Sequence, residues 1–366
     1  MRIIINVIQT TMKSILLTTN HPAPYIDKWV NILRKEYVVD VVYRWRKDQY
    51  KQWSNFQGTK GLFFDEISLL EFWKIYKKHD TAILGGWNNL YCFITILFGL
   101  FFKTKCCVFS DHPSPTIKRN SKYFIRKYCL FNLLDYIFCA TESTRHFYHK
   151  HYNMRYSKLM LFPYSYNNVF SEQNQIINLD RSVKLNSKDE KINIFIANNF
   201  IERKGYNAIV SAFIQMKQKK MLCKYKVKIA GNGELFNKVK DQLDKLNEDI
   251  TFLGWIESEQ YIEEMNNCDI YIHASQFEPF GIPPLDALCR GKLLIASDGV
   301  QSVNSIIRNG IDGYIFKAND GIELSEILNN IDKTKIYEIG ANGRKLLLET
   351  YSDRMLCNAC KNILMN

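Results

Sequence analysis

The sequence predicts an α/β protein built from two doubly wound domains, and three observations support this prediction. The chain has 366 residues, which is long for one hydrophobic core and typical of two domains. Each half alternates short β-branched or leucine-rich runs with helical periods, as in a parallel sheet covered by helices. Between the halves, residues 167–191 are polar and aperiodic, and we predict an interdomain linker at 171–191.

The first half opens with a strand, a turn and a helix. Ser14–Thr19 is a run of β-branched residues and leucine that ends at the turn before Pro22, and a helical period begins near Trp29. The apolar run Leu90–Phe102 is shorter than the roughly 20 residues that cross a bilayer as a helix, so we expect a buried or surface-lying helix. Further strands are predicted at Tyr37–Tyr43, Thr81–Leu84, Lys105–Phe109, Tyr136–Ala140 and Leu159–Tyr164.

The second half repeats this alternation. Ile192–Ala197 is a strand, followed by a turn that ends in Lys204 and Gly205. His273 ends its strand and is predicted to pack in the core. Because ligands of open α/β sheets bind at the carboxyl ends of the strands, the turns after these strands are candidates for a site. The other strands predicted here are Tyr225–Ala230, Ile250–Leu253, Ile270–His273, Lys292–Ser297 and one that ends at Phe316.

Composition and charge narrow the functional classes. The residues are 46% hydrophobic and 23% charged, as in an ordinary soluble globular protein, and the formal charge of +12 favours an anionic partner. Ten cysteines and a start that lacks the apolar core of a signal peptide predict reduced thiols in the cytoplasm. Cys357 and Cys360 form one C-x-x-C pair without the second pair of a zinc site. The start of the chain, at Met1 or at Met12, stays open.

The stretch Glu278–Asp286 predicts a loop that leads into a helix. Proline is tolerated in the first helical turn, so Pro283 or Pro284 marks the start and Asp286 is expected in that turn. Gly281 lets the backbone approach a ligand, and free amides at a helix start attract phosphate, which leaves Glu278 to hold neutral hydroxyls. Two acids around an anion site suggest a nucleotide sugar. The alternative is an ordinary buried loop and helix cap.

The run EPFGIPPLDALCRGKLLIASDGVQSVNSIIRNGIDGYIF, Glu278–Phe316, resembles the donor-site signature of the family-4 retaining glycosyltransferases, of the group 1 type. Their pattern is an acid, seven residues and a glutamate, and here the second acid is the shorter Asp286. The resemblance implies the GT-B fold, in which two doubly wound Rossmann-like domains face each other across a cleft. It assigns acceptor binding to residues 1–170 and donor binding to residues 192–345, with a last helix in 346–366 returning to the first domain.

The resemblance also implies roles for individual residues. Glu278 orients the sugar, and His112 lies near the donor sugar as a second catalytic residue, unless it is an ordinary turn histidine. Lys204 binds the diphosphate. Asn199 stands where the family has an arginine, and Arg203 could supply the missing charge. The other residues that the resemblance assigns to the donor are Gly233 at a Gly-x-Gly turn, Trp255 near the nucleobase, and Phe280, Gly281, Ile282 and Asp286 within the signature.

The implied reaction moves a hexosyl unit from a nucleoside diphosphate sugar to a hydroxyl of a glycan or lipid-linked acceptor. Configuration is retained, and the expected setting is bacterial surface polysaccharide or glycoconjugate synthesis. No Asp-x-Asp pair lies near the donor signature, so we expect no metal or other cofactor, with Lys204 and helix-start amides meeting the diphosphate charge. Two alternatives stay open: a nucleotide-sugar epimerase, and a non-catalytic nucleotide-sugar-binding subunit of the same fold.

A basic and aromatic segment, Lys118–Phe131, predicts a helix that lies on an anionic membrane. Many enzymes of the family it resembles work on lipid-linked acceptors at the inner face of the membrane. A surface helix with a solvated basic face is the alternative. No signature of nucleic-acid binding is present, so we expect no nucleic-acid partner. The predicted location is the cytoplasm, with peripheral attachment to the inner face of the cell membrane.

Overall fold

The structure is a computed structural model that describes residues 12–46, 58–86, 89–111, 122–162, 164, 172–185, 187, 190–246 and 249–365. The chain divides into two compact units, one formed by Met1–Ser165 with Asp353–Asn366 and the other by Tyr166–Ser352. Each unit is a parallel β-sheet with helices in its connections, which confirms the predicted α/β class with two Rossmann-like domains.

The first unit is built on seven described strands, all parallel, in the order β3-β2-β1-β4-β5-β6-β7. Side chains alternate between two cores, since Leu16 packs in one cluster while Ile15 and Leu17 pack in the other. The strands are β1 (Ser14–Thr19), β2 (Val38–Tyr43), β3 (Leu62–Phe63), β4 (Thr81–Leu84), β5 (Lys105–Ser110), β6 (Tyr136–Cys139) and β7 (Leu159–Leu161). The helices are α1 (Pro24–Leu33), α2 (Leu69–Tyr76), α3 (Leu90–Phe98), α4 (Lys122–Asn132) and α5 (Glu142–Tyr152).

The second unit holds six described strands, again parallel, in the order β10-β9-β8-β11-β12-β13. Counted from its own first strand, each sheet follows the Rossmann order 3-2-1-4-5-6, and the first sheet adds a seventh strand at its end. The strands are β8 (Ile192–Ala197), β9 (Tyr225–Ala230), β10 (Ile250–Gly254), β11 (Ile270–His273), β12 (Leu293–Ser297) and β13 (Tyr314–Phe316). The helices are α6 (Glu172–Leu185), α7 (Tyr206–Gln218), α8 (Phe236–Leu243), α9 (Ser258–Asn267), α10 (Ile282–Cys289), α11 (Gln301–Asn304), α12 (Gly321–Asn330) and α13 (Ile336–Thr350).

Much of the stretch predicted as a linker, residues 171–191, forms the helix α6. Arg181 of this helix donates from Nε and Nη2 to the fully buried carboxylate of Asp269, at 3.0 and 2.9 Å. Asn178 accepts a hydrogen bond from Lys292 Nζ at 2.6 Å. The polar residues that suggested a linker are therefore partners for buried charges of the second unit.

The chain ends in α14 (Asp353–Met365), which belongs to the first unit. Leu356 and Ile363 pack in the same cluster as Trp29 of α1, and Lys105 of β5 donates from Nζ to the Ile363 carbonyl at 2.7 Å. The second unit ends at Ser352 rather than at residue 345.

The segment predicted to lie on a membrane begins in residues outside those described, and its later part is α4. This helix exposes Ile125 and Tyr128. Lys127, however, is buried, with its ammonium 4.9 Å from the centre of the Phe131 ring, so it adds no charge to the helix surface. No helix within the described ranges is both long and apolar enough to cross a membrane.

Candidate functional site

The strand order places one point of the second sheet where a ligand site is expected. β8 and β11 are neighbours, paired through Ile194 with Ile270 and Phe195 with Tyr271, and the chain proceeds from them in opposite directions across the sheet. In open α/β sheets, ligands bind outside the carboxyl ends of the strands at such a switch point. The two loops that leave these strands carry Lys204 and Glu278.

Backbone contacts hold these two loops together. Gly205 adopts a φ of 72°, and a Cβ at this position would lie 1.8 Å from the carbonyl oxygen of Ala274, so only glycine fits. The amide of Gln276 donates to the Arg203 carbonyl at 2.8 Å. The loop after β8 therefore lies directly on the loop after β11, and this contact brings Lys204 to Glu278.

Glu278 forms the centre of a charged cluster. Its carboxylate pairs with the Lys204 ammonium through Oε1 and with Arg203 Nη1 through Oε2 at 3.0 Å, and Ser275 Oγ donates to Oε1 at 3.0 Å. The glutamate is only 8% exposed. The predicted sugar-binding acid and the predicted phosphate-binding lysine thus meet in one ion pair.

The charges of this cluster are set by burial and by pairing. Burial alone would raise the pKa of the Glu278 carboxyl, but the His273 imidazole, with Nε2 3.6 Å from Oε1, and the charge of Lys204 outweigh it and hold this pKa well below its ordinary value. Burial lowers the pKa of the Lys204 ammonium, and Glu278 opposes that shift. The carboxylate is therefore ionised at neutral pH, and its charge offsets part of the effect of burial on the Lys204 ammonium.

The signature helix begins before both of the predicted start residues, Pro283 and Pro284. α10 starts at Ile282 after Gly281, whose φ of 99° is in the region that favours glycine, and Pro283 is its second residue. Asp286 is the fifth residue, so the prediction that it lies in the first turn is wrong. Its carboxylate instead accepts a hydrogen bond from the Tyr261 hydroxyl at 3.1 Å.

The remaining residues predicted for the donor are spread over neighbouring loops. Asn199 is exposed in the turn after β8, where its carbonyl accepts from the Ile201 amide at 3.0 Å. Trp255, after β10, is 58% exposed. Phe280 is buried with its ring centre 5.8 Å from that of Tyr351, so its side chain packs in the unit. Gly233 follows β9 with a φ of 152°.

His112, the second predicted catalytic residue, lies outside the described residues. Its neighbour Asp111 follows β5 in the first unit, and burial raises the pKa of the Asp111 carboxyl to about 6. Within the described ranges, no three side chains of His, Cys, Asp or Glu come together as they would to hold a metal ion.

Sequence reasoning missed two residues that touch the predicted acids. Ser275 bonds Glu278, and Tyr261 bonds Asp286. A signal for Ser275 was present, because it is a polar residue in the loop that follows β11 at the switch point. Tyr261 lies on α9, and nothing in the local sequence connects that helix with α10.

One family of known proteins matches the second unit. The family described as glycosyl transferases group 1 matches residues 179–343, which include Lys204, Glu278 and Asp286. Residues 179–343 form a group 1 glycosyltransferase domain. The charged cluster and the signature helix therefore both belong to the glycosyltransferase domain, and His112 lies outside it.

Individual relatives resemble more of the chain. An uncharacterised glycosyltransferase of Methanocaldococcus jannaschii is 25% identical over 306 residues, which span 77% of this chain and 75% of that protein. The poly(glycerol-phosphate) alpha-glucosyltransferase of Bacillus subtilis is 26% identical over 157 residues, 42% of this chain and 23% of that enzyme. The structure of Anabaena HepE in complex with UDP and glucose has a TM-score of 0.70 at 13% identity, covering 97% of this chain and 100% of that one. The chain therefore has the GT-B fold.

Proposed function

We propose that this chain is a retaining glycosyltransferase that moves a hexosyl unit from a nucleoside diphosphate sugar to a hydroxyl group. The observation that carries the proposal is the cluster of Glu278, Lys204 and Arg203 at the switch point of a Rossmann-type sheet. A diphosphate needs cations, and a sugar needs a carboxylate that accepts from its hydroxyls. The cluster supplies both within one pair of loops.

Without a ligand, the two groups satisfy each other. A diphosphate that reaches Lys204 and Arg203 replaces the Glu278 carboxylate as their partner, and the freed carboxylate turns to the hydroxyls of the attached sugar. The buried ammonium of Lys204 needs an anion in both states, which makes the exchange favourable only for a ligand that carries negative charge.

The chemical step follows from these positions. The acceptor hydroxyl attacks the anomeric carbon from the face that the phosphate leaves, a phosphate oxygen takes the proton of that hydroxyl, and Glu278 orients the sugar. Lys204 and Arg203 stabilise the charge on the departing diphosphate. Because two cations already lie at this position, we propose that the reaction needs no metal ion. Turnover that survives EDTA would support this, and turnover restored only by Mg²⁺ would contradict it.

Relatives suggest the substrate classes. HepE was solved with UDP and glucose, and the Bacillus relative is named for glucosyl transfer to poly(glycerol-phosphate). We therefore propose a UDP-hexose donor and a hydroxyl-bearing glycan or lipid-linked acceptor, in the synthesis of a bacterial surface polymer. The net charge of +12 favours work beside anionic polymers or membranes, and liposome binding that fades with added salt would support peripheral attachment.

A panel of nucleotide sugars tests the proposal. A ligand at about 100 times its Kd stabilises the folded state by about 2.7 kcal/mol, so a donor should raise the midpoint of thermal unfolding measurably. The same donor should be hydrolysed slowly, or transferred when a hydroxyl acceptor is added. A panel in which no nucleotide sugar stabilises the wild type would reject the donor site.

Two specific features favour a second candidate, a non-catalytic subunit that binds nucleotide sugars. Asn199 replaces a cation of the family pattern, and Asp286 is bonded to Tyr261. Such a subunit would be stabilised by a nucleotide sugar and would never consume it. An epimerase, by contrast, would convert the donor with no acceptor present, which chromatography of the nucleotide sugars would reveal.

A further inference from the structure

Behind the ion pair lies a buried chain of polar side chains that the proposed reaction does not use. Ser275 Oγ lies 3.0 Å from Glu278 Oε1 and 3.2 Å from His273 Nε2, and His273 Nδ1 lies 3.2 Å from Asn198 Nδ2. Ser275 is fully buried and His273 is 1% exposed. This row of hydrogen-bonded side chains therefore runs from the end of β8, through the last residue of β11, to the carboxylate of Glu278.

The chemistry of the partners fixes the direction of each hydrogen bond. An ionised carboxylate only accepts, so Ser275 must donate its single proton to Glu278. The serine oxygen can then only accept from His273, which places the imidazole proton on Nε2. Nδ1 is left as an acceptor, and the side-chain amide of Asn198 donates to it. Burial lowers the pKa of the His273 imidazole, in agreement with a neutral ring that has one donor and one acceptor.

A tyrosine hydroxyl also lies beside the His273 ring, but it does not donate to it. The Tyr271 hydroxyl lies 3.3 Å from His273 Nδ1 but donates its only proton to the Ala197 carbonyl at 3.1 Å. In the opposite tautomer, Nδ1–H would donate to Tyr271 and Ser275 would donate to Nε2. That arrangement would leave two oxygen lone pairs facing each other across the 3.0 Å between Ser275 and Glu278.

We propose that His273 and Ser275 are positioning residues that hold the Glu278 carboxylate in place for the donor sugar. The inference rests on the proposed function of Glu278. When a diphosphate takes Lys204 and Arg203 away from the carboxylate, the hydrogen bond from Ser275 remains and keeps Oε1 fixed. A carboxylate held through a buried neutral chain loses less conformational freedom when the sugar binds, and the reacting geometry depends on that fixed position.

Substitutions at Ser275 and His273 test this role. S275A removes both bonds of the serine, and H273F keeps a ring but removes the donor. S275A should lower kcat for sugar transfer by roughly 10- to 100-fold, the effect of losing a bond to a charged group, and H273F by up to about 10-fold, because it removes a bond between neutral groups. Affinity for UDP should stay within about twofold in both, because UDP carries no sugar. S275T and H273Q, which restore a hydroxyl and an amide donor near Nε2, should recover part of the activity.

A buried serine elsewhere in the same unit provides the control. Ser325 is fully buried on α12 and donates to the Ile322 carbonyl at 2.8 Å, far along the chain from the network. S325A should leave both transfer and UDP affinity unchanged. Wild-type kcat in S275A would overturn the inference. A parallel loss of UDP affinity and thermal stability in S275A, without rescue in S275T, would also overturn it, because that pattern indicates a purely structural role.

A spectroscopic measurement keeps the inference testable if the proposed function itself fails. ¹⁵N spectra of histidine side chains, with the His273 signal assigned through H273Q, report which ring nitrogen carries the proton. The neutral Nε2–H tautomer at pH 7, lost or shifted in S275A, is the expected result. An Nδ1–H tautomer or a doubly protonated ring would overturn the chain of bonds whether or not any nucleotide sugar is turned over.

Discussion

The two units share a strand order, but the buried Glu278 of the second unit has charged partners and the buried Lys127 of the first unit is surrounded by aromatic rings. In the second unit, Glu278 is held by Lys204 and Arg203 where two loops meet. In the first unit, Lys127 is buried among aromatic rings, where burial lowers the pKa of its ammonium to about 8. Asp111 has one carboxylate oxygen with no hydrogen-bond partner among the described residues. The pair at Glu278 therefore presents charged groups that a ligand can use, while burial makes Lys127 and Asp111 titrate away from their ordinary pKa values.

The largest expected effect is on sugar transfer, when the paired carboxylate of Glu278 is replaced. E278Q should lower sugar transfer by roughly 100-fold, because its amide cannot make the charge-assisted bonds of a carboxylate to sugar hydroxyls. UDP should bind at least as tightly as to wild type, since Lys204 and Arg203 are released for the diphosphate. Steady-state kinetics measures the loss of transfer, and calorimetry measures the affinity for UDP. Transfer at the wild-type rate would contradict the role of Glu278.

Removal of the Lys204 ammonium should weaken UDP binding, whereas removal of the Glu278 charge should not. K204A should weaken UDP binding by about 10- to 100-fold, the range for a hydrogen bond to a charged group. K217A is the matched control, because it removes the same charge from an exposed position on α7. Calorimetric titration of both variants is the measurement. Equal affinities for UDP would show that Lys204 does not bind the phosphates.

Lys127 should make the first unit more stable in alkali. Its pKa in the folded state, about 8, lies below the ordinary 10.5, so the unfolded state binds more protons between these values and stability rises with pH across that window. At about 1.36 kcal/mol per pKa unit, the full effect is on the order of 3 kcal/mol. K127M should be more stable than wild type at pH 7, and the difference should vanish above pH 10.5. A difference that does not change with pH would contradict this account.

Asp111 should change the stability of the folded state by a smaller amount, and at acidic rather than alkaline pH. Burial raises the pKa of its carboxyl from 3.8 to about 6, so the folded state holds a proton that the unfolded state has lost, and stability falls as pH rises through this window. The residue is only partly buried as a whole, so we expect a loss on the order of 1 kcal/mol. D111N should remove this dependence. Urea unfolding at pH 4 and pH 7 compares the two proteins.

The fold and the position of the Lys204–Glu278 cluster could be predicted because their signals are local. β-branched runs identified most of the strands, and the Lys204-Gly205 pair and the signature at Glu278 each lie within a few residues. The switch point follows from strand order, which the repeated alternation already implies. These features depend on backbone preference and on which residues a turn requires, and a short sequence window contains both.

What could not be predicted depends on partners distant in sequence. The polar helix α6 has no clear apolar period, and it is held by Arg181 on Asp269, 88 residues away. Tyr261 and Asp286 are 25 residues apart and meet only because α9 and α10 lie close together. His273 appeared to be an ordinary core residue, since its link to Glu278 passes through a serine and depends on the orientation of three side chains.

A crystal structure of the chain with UDP tests the central claim most directly. The account predicts a diphosphate oxygen within about 3 Å of Lys204 Nζ, with Arg203 also turned to the phosphates. Glu278 should be released from the lysine yet still bonded to Ser275. UDP bound elsewhere, with the Lys204–Glu278 pair intact, would contradict the account.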